Sequence, residues 1–240
     1  MVAVDVIGYG PNDFDASRFD AYLFDAGGIL VLPDPTVLGP LLTFYGGDDA
    51  QSAHVRAHYA GMSAKSRAGS GERDWTDYDN AYVRSVGVDA EHQQLAARVL
   101  ANTRSAYLWR FAIADSVQAL WQLHQAGCAL GVVSNASGQI ESTLLAAKVC
   151  QVGPGPLVPV RVIIDSEVVG VTKPDPGIFE FALPFFDDVD RARIAYVGDS
   201  VTMDVGGARA AGLHPILLDP YDDHPGADFD RIRSLLQLVR

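Results

Sequence analysis

The sequence predicts an α/β fold built on a parallel sheet buried on both faces, and three observations carry that prediction. Short continuous apolar runs recur, each stopping on a polar residue: 21–24 before Asp25, 129–133 before Ser134, 162–164 before Asp165, 194–197 with Gly198 before Asp199, and 215–218 before Asp219. Helical patterns separate the later runs, as crossover helices separate parallel strands. After the first run, about 75 residues pass with helical character and no strand signal, which predicts a helical insert. In such sheets ligands sit outside the carboxyl ends of the strands. Five polar strand ends therefore predict an acidic, oxygen-rich pocket, with three of them the candidates for one shared site.

The elements follow in order. Residues 1–20 hold turn formers (Gly8, Gly10, Pro11, Asn12, Asp13) and predict a loose extension. The first strand exits through Val31-Leu32-Pro33-Asp34-Pro35, where proline breaks a direct run into a helix. Residues 63–72, small, polar and glycine-bearing, predict a loop or flexible link, with Lys65 at the surface. Leu95, Val99 and Leu100 recur at helical spacing, with Asp89 placed to cap that helix. Val117, Leu120, Trp121 and His124 form an apolar stripe ended by Gly127. A helix over 138–148, a Gly/Pro connection at 153–156 and a final helix over 228–238 complete the prediction.

Composition sets the outer bounds. The 240 residues suffice for one large domain or a core with a small insert, and the net charge is −12. That charge argues against binding nucleic acid or an anionic membrane, which needs clustered Lys and Arg. No apolar stretch approaches the roughly 20 residues of a membrane helix. The start Met1-Val2-Ala3-Val4-Asp5 has neither a basic segment nor a long apolar core. A cytoplasmic protein is the expectation. Two cysteines, Cys128 and Cys150, make no disulfide framework.

The polar strand ends and one lysine form an ordered set. Asp25 lies in Phe24-Asp25-Ala26-Gly27-Gly28, Ser134 in Val133-Ser134-Asn135, and Lys173 in Thr172-Lys173-Pro174-Asp175-Pro176. Asp199 and Asp204 close the set in Gly198-Asp199-Ser200-Val201-Thr202-Met203-Asp204. A carboxylate can attack phosphorus or carbon to give a covalent ester intermediate. Converging acids repel unless a cation joins them, and Mg²⁺ prefers oxygen ligands plus a substrate phosphate. Taken singly, Ser134 would be a helix cap, Lys173 a solvated charge and Asp204 a helix-surface acid. Their joint order points elsewhere, and Lys173 is one of three lysines in the chain. Asp165 and Asp219 are expected to be strand-end caps.

This order, with KPDPGIF followed by YVGDSVTMDVGGARAAG, resembles the haloacid dehalogenase-like (HAD) hydrolase superfamily over residues 21 to about 220. The resemblance implies a three-layer Rossmann-like α/β core over 1–33 and 111–240, with an α-helical cap inserted over 34–110. It implies Asp25 as nucleophile, and Asp25, Asp199 and the Gly27 carbonyl as Mg²⁺ ligands. Asp204 would hold metal-bound water or Lys173 beside them. Lys173 would stabilise developing charge, and Ser134 with the Asn135 backbone N–H would donate to phosphate oxygens at a helix start. Such a cap closes over the core and selects substrate, and His54, Arg56, His58, Tyr59 and Arg67 could face the pocket. His54 and His58 also have the i, i+4 spacing of a metal pair, although cap packing is the simpler account. The expected partner is a small phosphorylated or halogenated metabolite, and a homodimer stays open.

One position departs from the family pattern. Its phosphatases carry a second aspartate two residues after the nucleophile, where this chain has Gly27, and Ile29 replaces the usual threonine. Loss of a general acid costs roughly 10²–10⁴ in rate, so activated aryl or acyl phosphates are expected to outpace alkyl phosphates. Gly27→Asp should then speed the slow step if the pocket has room. Asp34 lies nine positions past Asp25 and cannot be assumed to replace the acid. Two other functions fit the missing acid: a 2-haloacid dehalogenase, and a phospholigand-binding module without turnover. A third route, imine formation, would require Lys65 in the pocket.

Overall fold

The computed structural model describes residues 14–239. The central sheet has six strands: β1 (Ala21–Phe24), β4 (Ala129–Ser134), β7 (Ile163–Asp165), β8 (Ile194–Gly198), β9 (His214–Leu218) and β10 (Asp230–Ile232). Their spatial order is β10-β9-β8-β1-β4-β7, and every pairing is parallel. Successive residues of a strand point to opposite faces. Tyr22, Phe24, Leu130, Val132, Ala195 and Val197 accordingly enter one core, and Ala21, Leu23, Ala129, Val133, Ile194 and Tyr196 the other. With both faces covered, the inner strands β1, β4 and β8 are nearly continuous apolar runs, which is why they are visible in the sequence.

Register places the polar strand ends together. Phe24 of β1 pairs with Val197 of β8 and with Val132 of β4. Asp25 is thus level with Gly198 and Val133, with Asp199 and Ser134 one residue further along the same rim.

Four helices, α1 (Pro35–Thr43), α2 (Gln51–Ala68), α3 (Thr76–Ser85) and α4 (Gln93–Thr103), lie between two short strands, β2 (Val31–Pro33) and β3 (Trp109–Ala112). They share their own apolar cluster, including Leu38, Leu42, Ala57, Met62, Tyr78, Tyr82, Val83 and Leu100. The antiparallel β2–β3 pair joins this insert to the sheet. Asp34 caps α1 by accepting from the Thr36 N–H, and its other oxygen accepts from Arg110 at 2.8 Å. Both jobs tie Asp34 to the junction and leave no part of it lining the cavity described below.

Several local expectations need correction. Residues 228–238 are not a helix: Asp230–Ile232 joins the sheet edge beside β9, and only Leu235–Leu238 turns, as a 3₁₀ segment. Edge pairing and burial of Ile232 outweigh the helical spacing there. Of the expected loose extension, 1–13 lies outside the described residues, while Ala16–Arg18 form a 3₁₀ turn and Phe19 is buried. Of the loop or link expected over 63–72, only 69–72 lies outside a helix, since α2 runs on to Ala68. In α5 (Ala114–Gln125) the buried face is Ser116, Ala119, Leu120 and Leu123, rotated from the expected stripe, and Trp121 reaches solvent. Asp89 caps no helix; α4 begins at Gln93. A short parallel pair, β5 (Cys150–Val152) and β6 (Val158–Val160), flanks the Gly/Pro connection. Cys128 and Cys150 are both buried. Among the described residues, no helix is long and apolar enough to cross a membrane.

Candidate active site

Asp25, Asp199 and Asp204 converge so that one carboxylate oxygen from each lies within 4.8 Å of the others. Asp25 leaves the end of β1, its backbone N–H donating to the Val197 carbonyl at 2.9 Å. Its Oδ1 accepts from the Ala26 N–H at 2.7 Å and stands 3.1 Å from the Lys173 Nζ. The same ammonium donates to Asp204 Oδ1 and to the Tyr196 hydroxyl, each at 2.7 Å. Lys173 is only 1 % exposed, so its three donors are directed at three fixed acceptors. Burying such a charge costs several kcal/mol unless it is paired this fully.

Asp204 belongs to a single turn of π-helix, Val201–Val205. Its Oδ2 accepts from the backbone N–H groups of Asp199 (3.1 Å) and Ser200 (2.9 Å). With Oδ1 on Lys173, both oxygens of Asp204 are engaged in holding the loop and the lysine. Gly198 permits this: a Cβ there would lie 2.2 Å from the Asp204 Cγ.

Charge balance is poor without a cation. Burial, reinforced by Asp204 and Asp199 against the pull of Lys173 and Ser134, raises the Asp25 carboxyl to about 7. Burial and the Asp204 charge also push Asp199 well above the usual carboxylate range, while Lys173 opposes them. Burial draws Lys173 down, but Asp204 and Asp25 outweigh it and hold the ammonium above its ordinary value. Three hard oxygen donors crowded at this distance suit a Mg²⁺-sized ion, and Gly27 lines the same cavity. The residues fit the metal.

Helix α2 of the insert reaches this rim. His58 Nε2 lies 2.9 Å from Asp199 Oδ2, and its Nδ1 lies 3.0 Å from the Tyr78 hydroxyl. Burial lowers the imidazole to about 3, with Asp25 opposing, so the ring is neutral. A Tyr78 hydroxyl donating to Nδ1 puts the ring proton on Nε2, from where it is donated to the Asp199 carboxylate. Hydrogen bonds of this kind orient metal-ligating carboxylates. Tyr59 donates to the Gly28 carbonyl at 2.7 Å. Gly28 itself has φ 73°, and a Cβ there would fall 1.8 Å from Asp199 Oδ2 and 2.7 Å from His58 Nε2. Only glycine serves at that position.

The remaining candidates divide. Ser134 is buried and lines the cavity. Asn135 does not start a helix, because α6 (Ile140–Ala146) begins only five residues later. Residues 135–139 form a loop instead, held by Asp165, which accepts from the Gly138 and Ile140 N–H groups. Asn135 locks the lysine segment: its Oδ1 accepts from the Lys173 N–H at 2.8 Å, and its Nδ2 donates to the Lys173 carbonyl and to Glu72 Oε2. His54 pairs with Tyr82 at 2.7 Å and shares no metal position with His58. Arg56 forms a two-pronged pair with Asp223, and Arg67 meets Ser63 and the Asp223 carbonyl; neither lines the cavity. Lys65, expected at the surface, is buried and donates to the Glu72 and Asp74 carbonyls at 3.0 and 2.9 Å, 4.0 Å from the Trp75 ring centroid. That ammonium clamps the α2–α3 turn with two of its three donors, at the wall of the same cavity as Asp25.

Four residues escaped the sequence. Tyr196 was visible only as a tyrosine inside an apolar strand. Glu72, Trp75 and Trp109 had no signal; they line one cavity of about 300 Å³ together with Asp25, Lys173 and Asp199. A Cβ on Gly27 would stand 3.2 Å from Cε3 and Cζ3 of Trp109, so the indole would have to give way slightly to a side chain at 27.

A parallel α/β sheet with a carboxylate nucleophile position, a buried lysine and an acidic pair at the rim defines a class. Residues 19–212 match the haloacid dehalogenase-like hydrolase family, and the chain belongs to it; it is a hydrolase. Within that class, it is 34% identical over 172 residues to the glyceraldehyde 3-phosphate phosphatase of Methanopyrus kandleri, covering 66% of this chain and 69% of that one. The crystal structure of a HAD phosphatase from Thermococcus onnurineus superimposes with a TM-score of 0.55 at 22% identity, covering 92% of this chain and 96% of that one. A dehalogenase solved with an intermediate complex gives 0.57 at 20% identity over the same shares, 92% and 96%. Both structures show the shared fold.

Proposed function

We propose that this hydrolase is a Mg²⁺-dependent phosphatase acting on a small phosphorylated metabolite through an aspartyl-phosphate on Asp25. The observation that carries it is the meeting of three carboxylates within 4.8 Å around an ammonium shared by Asp25 and Asp204. Asp25, Asp199 and the Gly27 carbonyl would hold Mg²⁺, whose charge would offset the acids and the phosphate oxygens.

The protein groups do the rest. Asp25 Oδ1 is occupied by the Ala26 N–H and Lys173, so Oδ2 is the attacking oxygen. Lys173, with no room to move, keeps Oδ1 charged and faces the negative charge of the transferring group. Ser134 donates to a phosphate oxygen from the end of β4. Asn135 and Asp204 hold Lys173 from the backbone and the side chain, and His58 orients Asp199. Residues 34–110 act as a cap that covers the site and keeps water from the acyl-phosphate until the leaving group has gone. Neither nucleic acid nor a membrane is a partner.

Asp25→Asn should abolish turnover across a panel of phosphate esters with Mg²⁺ present, and wild-type rates in that variant would falsify the nucleophile assignment. One observation favours a second reading, that of a 2-haloacid dehalogenase: position 27 offers no acid, and halide leaves without a proton. Halide release from 2-haloacids that persists in EDTA would favour it over the phosphatase.

A further inference from the structure

The cavity above Asp25 has aromatic walls. Trp109 from β3 covers Gly27, and Trp75 from the start of α3 stands 6.0 Å away, centroid to centroid, with the rings tilted at 59°. Both face the space into which a leaving group must depart, since they line the same cavity as the nucleophile. The charged groups along this wall are already committed. Lys65 is held by two backbone carbonyls, Arg104 is paired with Asp79, and Glu72 accepts from Asn135. The wall thus offers indole faces, and its one carboxyl outside the acidic triad, Glu72, is bridged through Oε2 to Asn135. Lys65 and Arg104 also lie against the Trp75 ring, at 4.0 and 4.7 Å from its centroid. That places positive charge behind the surface a departing anion would meet.

We infer that the preferred substrates are aryl phosphate monoesters, whose planar leaving group lies against Trp109 and Trp75 and departs as an aryloxide. The inference rests on the phosphatase reading and adds the identity of the leaving group. In the first step Asp25 Oδ2 bonds to phosphorus and the phosphorus–oxygen bond to the ring breaks, its electron pair leaving with the aryloxide; no proton moves. In the second, water attacks phosphorus and the bond to Asp25 breaks, restoring the carboxylate. The water supplies the oxygen of the released hydrogen phosphate, and its other proton balances the phenol formed from the aryloxide. Weak leaving groups such as sugar alkoxides would need the acid that Gly27 lacks. Acyl phosphates need no acid but present no ring.

The test compares phenyl phosphate with acetyl phosphate in the Mg²⁺-supplemented wild type, Trp109→Ala and Trp109→Phe proteins. Phenylphosphonate and methylphosphonate binding is measured in parallel by calorimetry. The wild type should show a KM for phenyl phosphate about tenfold below that for acetyl phosphate. Trp109→Ala should raise the phenyl phosphate KM about tenfold more than the acetyl phosphate KM, with Trp109→Phe recovering most of the difference. Phenylphosphonate should bind more tightly than methylphosphonate by a similar factor. Equal KM values in the wild type, or equal shifts in Trp109→Ala, would overturn the aromatic site and leave the phosphatase standing. Failure to hydrolyse either compound would overturn the phosphatase, and the two phosphonates would then decide whether the indole wall selects a ring.

Discussion

The carboxyl ends of the three inner strands, β8, β1 and β4, carry Asp199, Asp25 and Ser134, while the two strands flanking them, β9 and β7, end in Asp219 and Asp165. In sequence all five end an apolar run, and motif order sets the first three apart. In the fold, the inner three line one cavity with Lys173. Asp165 caps the helix Ser166–Val169 and pins the 136–140 loop. Asp219 accepts from the Asp223 and His224 N–H groups and from Arg231. Strand order separates the two groups. A carboxylate next to two others in a buried hollow suffers a raised pKa and needs a cation. One a strand further out finds backbone N–H groups and is satisfied.

The largest test of that division is Asp199→Ala against Asp219→Ala. The first should cut kcat/KM by at least about 10³ through loss of a metal-holding carboxylate. The second should leave kcat within about twofold while costing on the order of 1–3 kcal/mol in denaturant melts. Comparable kinetic losses in both would erase the distinction between inner and outer ends.

Lys173→Met follows. Removing the ammonium should lower kcat by about 10²–10³. It should also destabilise the fold by roughly 3–5 kcal/mol, because Asp25 and Asp204 stay buried without their partner. Steady-state kinetics and urea unfolding measure the two effects separately.

A smaller effect concerns the acid missing at position 27. The Trp109 ring crowds that position, lying 3.2 Å from where its Cβ would be, and would have to give way by a few tenths of an ångström. Gly27→Asp alone should therefore fail to speed alkyl phosphate hydrolysis, and the expected gain should emerge only with Trp109→Gly alongside it. A rate increase in the single variant would show that the indole yields easily.

The smallest effect is thermal. In the metal-free protein the Asp25 carboxyl is raised from 3.8 to about 7, so between those values the folded state holds a proton that the unfolded state has released. Stability accordingly falls as pH rises through that window. In EDTA, wild type should lose several degrees of Tm relative to Asp25→Asn between pH 5 and pH 8. A constant difference across that range would mean that Asp25 is ionised throughout.

Much of the core was legible because its signals are local. A strand buried on both faces must be apolar along its whole length, so 21–24, 129–133 and 194–197 stood out, and the lysine-proline and glycine-aspartate steps marked Lys173, Asp199 and Asp204. The insert was legible only as helical. His58 could be named as a candidate, but its contact with Asp199 spans 141 positions. Trp75 and Trp109 look like ordinary core aromatics until the insert folds down on the rim. Lys65 was misjudged for a related reason. Its small polar neighbours suggest a solvated loop, whereas the carbonyls that satisfy it come from the next turn of chain. The final helix failed because spacing in 228–238 cannot reveal an open sheet edge at β9.

The sequence by itself determined the α/β class, the strand ends and the identity of the buried acids and lysine, because apolar burial and motif order are written in neighbouring residues. Tertiary structure decided how closely the inner strand ends approach one another, and which side chains of the insert face Asp25. Those depend on strand order and on how one layer packs over another, which are contacts between segments far apart in the chain. Proximity of that kind leaves no local pattern, since any of several aromatic or histidine residues would satisfy the same helix and strand.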